Sequence, residues 1–326
     1  MISTYLDEMP GVAVSDGYAD RILDDTYEKL SESWSDQAGV DEAMDGLFLG
    51  LGLQRRNSSD AEWDAFVARC LDHPLHGLLN QDPFTCRAFE KPRGYAGDAE
   101  LIDFIYGREE RRPIEGVSEL GRRIFDYTTR APAASGVRAR RRIVAHVVDQ
   151  LAERVERPHI LSIAAGHLRE ASISDAVRRG QVSRYVALDA DAESLHEVDR
   201  CYSRFGVETV PASIRALLTG KLDLGRFDLV YATGLFDYLQ QTTGQRLTSR
   251  MFDTLRPGGQ ILVANFLPGI RDIGYMESYM AWKLIYRARQ EMMDLTAEIA
   301  QQDIHDVRLF AEENQNIIFL LVTKCG

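Results

Sequence analysis

The sequence predicts an α/β fold built on a parallel sheet, and three stretches carry that prediction. The first runs from His159 to Asp189: an apolar run (His159 to Ala165), a glycine (Gly166), a helix-like segment (Leu168 to Arg179) and a second apolar run ending in an acid (Tyr185 to Asp189). Strand, glycine turn, helix and strand closing on an acid is the unit that binds nucleosides at the carboxyl edge of a parallel sheet. The second is Arg226 to Gly234, a strand with an acid at its start and a small-residue turn at its end. The third is the C-terminus, where Val307 to Phe310 and Ile317 to Val322 flank Glu312-Glu-Asn-Gln-Asn316, a hairpin signal. Between them, Leu255-Arg-Pro257-Gly258-Gly259 reads as the close of a helix, and Gln260 to Phe266 as the next strand.

The first turn narrows the ligand. Glycine lets the backbone approach a ligand without a Cβ clash, and a carboxylate at the end of the second strand can accept both hydroxyls of a ribose. A dinucleotide site wants three glycines, so that a pyrophosphate can rest on the helix N-terminus. Here the turn is Ala164-Ala165-Gly166-His167-Leu168-Arg169-Glu170, with one. An adenosine-containing ligand without phosphates, such as S-adenosylmethionine, asks less of it. The order of strands over Arg138 to Gly326 resembles the class I S-adenosylmethionine-dependent methyltransferases. That resemblance implies a Rossmann-like seven-stranded methyltransferase sheet ending in an antiparallel hairpin, here preceded by an N-terminal helical cap.

Composition bounds the partners. A chain of 326 residues holds one large domain and a substantial extra layer. A net charge of −12 argues against a nucleic-acid substrate, which needs a basic face. The one basic cluster, Arg138-Ala-Arg140-Arg141-Arg142, reads as a solvated or ion-paired helix face. Met1 to Pro10 carries acids rather than a basic region followed by an apolar core, so no signal peptide is expected. No window reaches the ~18 uninterrupted apolar residues of a membrane span. Cys70, Cys86, Cys201 and Cys325 lie too far apart for a local zinc site and are expected to be reduced thiols in a cytoplasmic protein, so no metal is expected.

Residues 1–135 are expected to form the helical cap and acceptor-pocket region, and 136–326 the catalytic domain. Tyr18 to Trp34 and Asp60 to Leu71 show helical apolar spacing, and Ser59 with Glu62 marks a helix start. Phe89-Glu-Lys-Pro-Arg-Gly-Tyr-Ala-Gly-Asp98 reads as an ordered loop, with Asp98 capping a helix from Ala99 to Tyr106. That loop either docks cap to core or presents Tyr95 and Arg93 to an acceptor. Phe125 to Arg130 offers Tyr127 and Arg130 as contacts to cofactor or substrate, or simply ends a helix. In Tyr275 to Arg287 the aromatic residues Tyr275, Tyr279, Trp282 and Tyr286 share a helical face, a pattern of core packing that also leaves Tyr286 and Arg287 as pocket candidates.

Three motifs resemble a narrower family. Lys91-Pro-Arg-Gly-Tyr-Ala-Gly-Asp98, Gly234-Leu-Phe-Asp-Tyr-Leu239 and Trp282-Lys-Leu-Ile-Tyr-Arg287 are similar to those of the bacterial extracellular-factor proteins, associated with 3-hydroxypalmitate methyl ester biosynthesis in quorum sensing. The resemblance implies methyl transfer to a small-molecule acceptor, with a hydroxy fatty acid carboxylate as first candidate. The expected cofactor site then has Asp189 on the ribose hydroxyls, with Ala190 beside it. Ala164 and Gly166 lie beneath the methionine or ribose, and Ala212 or Ser213 flanks the adenine. Thr233, Gly234 and Phe236 border the reacting centre. Tyr95, Tyr127, Arg130, Tyr286 and Arg287 are the candidate catalytic residues. A carboxylate acceptor needs no general base, only a cationic anchor such as Arg93, Arg130 or Arg287. An amine or phenol would want one, and His167 is the nearest histidine in sequence. Two other readings stay open. One is a cyclase that converts S-adenosylmethionine into azetidine-2-carboxylate and methylthioadenosine, with Tyr127, Phe236 and Tyr238 facing the sulfonium. The other is a non-catalytic binding protein. A homodimer is left open as well.

Overall fold

In the computed structural model, residues 18–110 and 115–326 are described. Met1 to Pro10, read above for a signal peptide, lies outside them. The helices are α1 (Tyr18–Glu32), α2 (Gln37–Asn57), α3 (Asp60–Asp72), α4 (Leu75–Leu79), α5 (Pro83–Glu90), α6 (Ala99–Glu110), α7 (Glu119–Arg130), α8 (Pro132–Arg154), α9 (Asp175–Arg178), α10 (Ala192–Tyr202), α11 (Ile214–Leu218), α12 (Gln241–Asp253), α13 (Ile273–Ser278) and α14 (Arg289–Met293). The strands are β1 (His159–Ile163), β2 (Arg184–Asp189), β3 (Val207–Pro211), β4 (Phe227–Ala232), β5 (Leu255–Phe266), β6 (Ile304–Ala311) and β7 (Ile317–Lys324). The chain divides into two compact units. One comprises the residues up to Val137 together with Gly269–Lys283; the other comprises Arg138–Pro268 and Leu284–Gly326.

The second unit holds one seven-stranded sheet in the order β3-β2-β1-β4-β5-β7-β6. Strands β1 to β5 run parallel, and β7 is antiparallel to both β5 and β6. This is the Rossmann-like sheet with its terminal hairpin that the sequence predicts. All six residues of β4 are buried, as expected for a parallel strand covered on both faces. One face carries Leu161, Ile163, Val186, Leu188, Val230, Ala232, Ile261 and Val263 into a core closed by Leu247, Met251 and Phe252 of α12. The hairpin turn is organised by the buried Glu312, whose carboxylate accepts from the backbone N–H groups of Asn314 (2.6 Å), Asn316 (2.5 Å) and Ile317 (3.1 Å).

Two expectations about elements need correction. Pro257-Gly258-Gly259 does not close a helix. Helix α12 ends at Asp253, and β5 starts at Leu255 with these residues inside it. They are accommodated by a bulge, since Phe227 pairs with Leu255 but Leu229 with Gln260. Nor is Tyr275 to Arg287 one helix: α13 stops at Ser278, and Ala281 takes φ 45°. The backbone beyond is held by tertiary bonds, Ile285 N to Asp237 O (2.7 Å) and Arg287 N to Phe266 O (3.0 Å). Those bonds supply partners a helix would otherwise have provided, so aromatic periodicity did not decide the conformation.

The first unit is helical, as its patterning predicts. Ser59 and Glu62 form a reciprocal capping box at α3. Gly269–Lys283 joins this unit through aromatic packing: Tyr275 stacks on Phe48 with centroids 4.5 Å apart, and its hydroxyl lies 2.8 Å from Thr85 Oγ1. A Cβ on Gly274 would stand 2.5 Å from the Leu51 carbonyl carbon, so only glycine permits the approach of α13 to α2.

A buried carboxyl in this unit gives a pH prediction. Asp272 Oδ1 accepts from Ala133 N (3.3 Å), while Oδ2 is buried and meets no donor among the described residues. Burial pushes the carboxyl up to about 6 from its ordinary 3.8. The folded state therefore holds this proton more tightly than the unfolded one, so the group's contribution to stability falls as pH rises through about 4 to 6. Asp272→Asn is expected to raise the melting temperature at pH 7.5 and to change it little at pH 4.5. Equal effects at both pH values would refute the assignment.

Candidate cofactor site at the carboxyl edge

The edge is assembled by the turns after the parallel strands. After β1 the chain takes three left-handed residues at alternate positions, Ala164 (φ 53°), Gly166 (φ 52°) and Leu168 (φ 51°). This geometry rolls the chain back over the sheet. Ala165 N bonds Leu188 O (3.1 Å), and Gly166 N donates to Asp189 Oδ2 (2.8 Å). The other carboxylate oxygen of Asp189 accepts from Asp191 N (2.9 Å), and Ala212 N bonds the Asp189 carbonyl (2.9 Å). The ends of β1, β2 and β3 are thus stitched together through Asp189. Each carboxylate oxygen has lone pairs beyond the one a backbone N–H occupies, and the half-buried side chain can offer them to a ligand.

An L-residue at positive φ is strained by roughly 1–2 kcal/mol. Against glycine's extra unfolded-state freedom, Ala164→Gly is expected to stabilise the protein by about 0.5–1 kcal/mol. Urea denaturation measures this, and a destabilised variant would contradict the strain assigned to Ala164.

The turn's polar residues are tied down. Arg169 pairs with Glu197 (2.8 Å), fixing the turn to α10, and its Nη2 lies 3.4 Å from Nδ1 of the buried His167. Glu170 accepts from Tyr231 Oη (2.5 Å), which in turn lies 2.5 Å from Tyr185 Oη. Burial raises Glu170 above the usual carboxylate value. The network joins the turn to β4 and β2 beneath it.

Gly166, Asp189, Ala190, Ala212 and Ser213 lie on one edge, with Thr233 and Gly234 at the end of β4. Ala190, Ser213 and Gly234 are exposed and Thr233 is half-buried. Phe236 stands apart: its ring is wholly buried in the hydrophobic core, so it supports the edge from below rather than lining it. Arg287 is 1 % exposed, and its guanidinium is committed to protein acceptors. It donates to Phe236 O (2.6 Å), Asn265 Oδ1 (2.6 Å), Gln241 Oε1 (2.8 Å) and Leu239 O. Asp237 Oδ1 accepts from Phe266 N (2.7 Å) in the same junction. Burial pushes its carboxyl up to about 6. Two of the three sequence motifs, Gly234 to Leu239 and Trp282 to Arg287, thus meet through Asp237 and Arg287. Arg287 acts as a clamp behind the site. Tyr286 beside it is half-buried.

The remaining candidates belong to the helical unit. Tyr127 is buried and donates to Asp45 (2.6 Å), with Arg271 bonded to both partners. Arg130 pairs with Asp41 (2.6 Å). Tyr95 is 39 % exposed on the loop whose end is fixed by Asp98. Asp98 caps α6 at Leu101 N (2.7 Å) and takes two bonds from Arg87.

The residue that sequence reasoning missed is Arg140. Arg138, Arg140 and Arg141 are buried and only Arg142 of the run is exposed, so of the two readings, solvated or ion-paired face, burial excludes the solvated one for these three. Arg140 Nη1 donates to Thr233 O at 2.6 Å, at the carboxyl end of β4. The burial of three arginines has no signature in a charge run read alone.

Residues 161–263 match a family model described as a methyltransferase domain. No curated protein sequence matches the chain. Among solved structures, one of a "possible exported protein" from Bordetella parapertussis is similar over 97 % of this chain and 99 % of its own, with a TM-score of 0.58 and 14 % identity. It shares the fold. Further similarities are to a magnesium protoporphyrin IX methyltransferase from Synechocystis with bound S-adenosylhomocysteine (10 % identity, 67 % and 93 % of the two chains, TM-score 0.45) and to an N-methyltransferase from Bradyrhizobium japonicum in complex with S-adenosylhomocysteine (12 %, 57 % and 87 %, 0.41). The sheet order and the reversed last strands are those of the Rossmann-like methyltransferase fold, and the match to a methyltransferase domain falls within that sheet. The cofactor is S-adenosylmethionine, a ligand without phosphates that a single-glycine turn suits. No described helix is long and apolar enough to cross a membrane.

Proposed function

We propose that this protein transfers a methyl group from S-adenosylmethionine to a small-molecule acceptor, with the carboxylate of a hydroxy fatty acid as the first class to test. The observation that carries the cofactor side is the junction of Gly166 and Asp189 at the ends of β1 and β2, on the edge where Thr233 follows β4. Strand order reverses between β1 and β4, the place where ligands bind in open α/β sheets. In this reading Asp189 orients the ribose, the turn at Ala164 and Gly166 receives the methionine portion, and Ala212 and Ser213 border the adenine. When bound, the cofactor supplies an electrophilic methyl group for in-line displacement. The protein's part is alignment and exclusion of water. A carboxylate acceptor is already ionised at neutral pH, so no side chain need remove a proton.

The test is incubation with S-adenosylmethionine, with and without 3-hydroxy fatty acids, followed by mass spectrometry. Acceptor-dependent S-adenosylhomocysteine with a methyl ester is expected. Methylthioadenosine released without an acceptor would overturn methyl transfer in favour of cyclisation.

A further inference from the structure

We propose that a cleft near the amino ends of the parallel strands, between α8 and the β5-β7-β6 face, binds a small organic monocarboxylate. The cleft measures about 410 Å³ and is lined by Arg154, Gln260, His305, Asp306, Arg308 and Thr323. An adjoining cleft of about 240 Å³ shares Arg154, Gln260 and Arg308 and adds the apolar Val147 and Leu321. This place is remote from the carboxyl edge: Gln260 pairs with Leu229 near the start of β4, about 13 Å along the strand from Thr233. Strand pairing builds the floor. Gln260 lies opposite Thr323, Thr323 opposite Asp306 and Leu321 opposite Arg308, so β5, β7 and β6 contribute neighbouring side chains on one face. Between Ile304 and Asp306 the register shifts, a bulge that brings His305 to the same rim.

Hydrogen bonds hold the walls in place. The buried Gln260 accepts from Arg154 Nη2 (3.0 Å) and donates to Thr323 Oγ1 (3.0 Å). Arg154 Nε donates to Gln150 O (3.2 Å), which leaves Nη1 without an acceptor among the described residues. Arg308 Nε donates to Asp306 Oδ2 (2.7 Å), and both its Nη groups are left in the same way. Closing the end of α8 and pairing on the surface therefore use only part of each guanidinium. The remaining donors have the fork geometry that a carboxylate accepts. Charge selects the ligand. Two guanidiniums against Asp306 leave one positive charge in the larger cleft, within a chain of net charge −12. One carboxylate balances it, whereas a dianionic phosphate would not. Glu153 stands exposed on the adjoining cleft, where salt and water screen it. The carbonyl end of α8 opposes an anion only weakly and within its last turn. Val147 and Leu321 are placed to receive a hydrocarbon body behind the carboxylate.

Calorimetry on the full chain with hexanoate, its neutral counterpart hexanamide and inorganic phosphate tests the site. Hexanoate is expected to bind about 10- to 100-fold more tightly than hexanamide, the range of a hydrogen bond to a charged group. Phosphate, which lacks a hydrocarbon body, should bind less tightly than hexanoate. Arg308→Gln, at an exposed position, should weaken hexanoate by about 10-fold with the melting temperature unchanged. Asp306→Asn should tighten it by a few-fold, because it removes the carboxylate that competes for Arg308. A purely structural ion pair would give no such gain. Undetectable binding of hexanoate at millimolar concentration, equal affinity for hexanamide, or an Arg308→Gln variant that binds hexanoate as wild type does would overturn the proposal. Phosphate bound as tightly as hexanoate would overturn the assigned ligand class.

Discussion

Replacing Arg287 with methionine is expected to destabilise the sheet unit by about 2–4 kcal/mol, the cost of leaving buried acceptors without their charged donor. The size follows from its partners. One guanidinium satisfies the carbonyls of Phe236 and Leu239 and the side chains of Asn265 and Gln241. Removing it takes that donor from the buried Leu239 carbonyl and Asn265 Oδ1, each at a desolvation cost, while the Phe236 carbonyl keeps its bond from Leu239 N (3.1 Å). The segment from Gly234 to Leu239 then loses its brace, and with it the placement of Thr233 and Gly234. Urea denaturation followed by circular dichroism measures the shift. Gln241→Ala, which removes only the partly exposed acceptor, should cost much less. A loss below about 1 kcal/mol for Arg287→Met would contradict the clamp.

The second large effect is on binding. Asp189→Ala is expected to weaken S-adenosylmethionine binding by about 1.5–3 kcal/mol, through lost hydrogen bonds to a charged acceptor. It also removes the acceptor of Gly166 N, so the turn after β1 loosens as the ribose contact is lost. Asp189→Asn keeps one carbonyl oxygen for one of these partners and should fall between. Calorimetry on protein with an unchanged melting temperature is the check. Unchanged affinity would remove Asp189 from the site.

Much of the sheet was legible because its signals are local. An apolar run, a glycine and an acid mark β1, its turn and β2, and the acid at Asp189 is where the sequence places it. The hairpin was legible for the same reason, although nothing local in the sequence marks Glu312 as the residue that organises its turn. Tyr275 to Arg287 misled because its backbone is held by Asp237 and Phe266, and no periodicity encodes such partners. Phe236 misled differently. Lying two residues past Gly234 suggested an edge position, but the turn directs its ring into the core. Arg140 was hidden in a run of arginines because burial distinguishes Arg138, Arg140 and Arg141 from Arg142, and burial is a property of the packed α8 rather than of composition.

The carboxyl edge is proposed as the site for S-adenosylmethionine and its product. Isothermal titration of the purified protein with S-adenosylhomocysteine tests that most directly, since this ligand is not consumed. Saturable binding at one site per chain, displaced by S-adenosylmethionine and weakened by Asp189→Ala, is the predicted result. No binding up to millimolar ligand, by a protein that is folded, would contradict it.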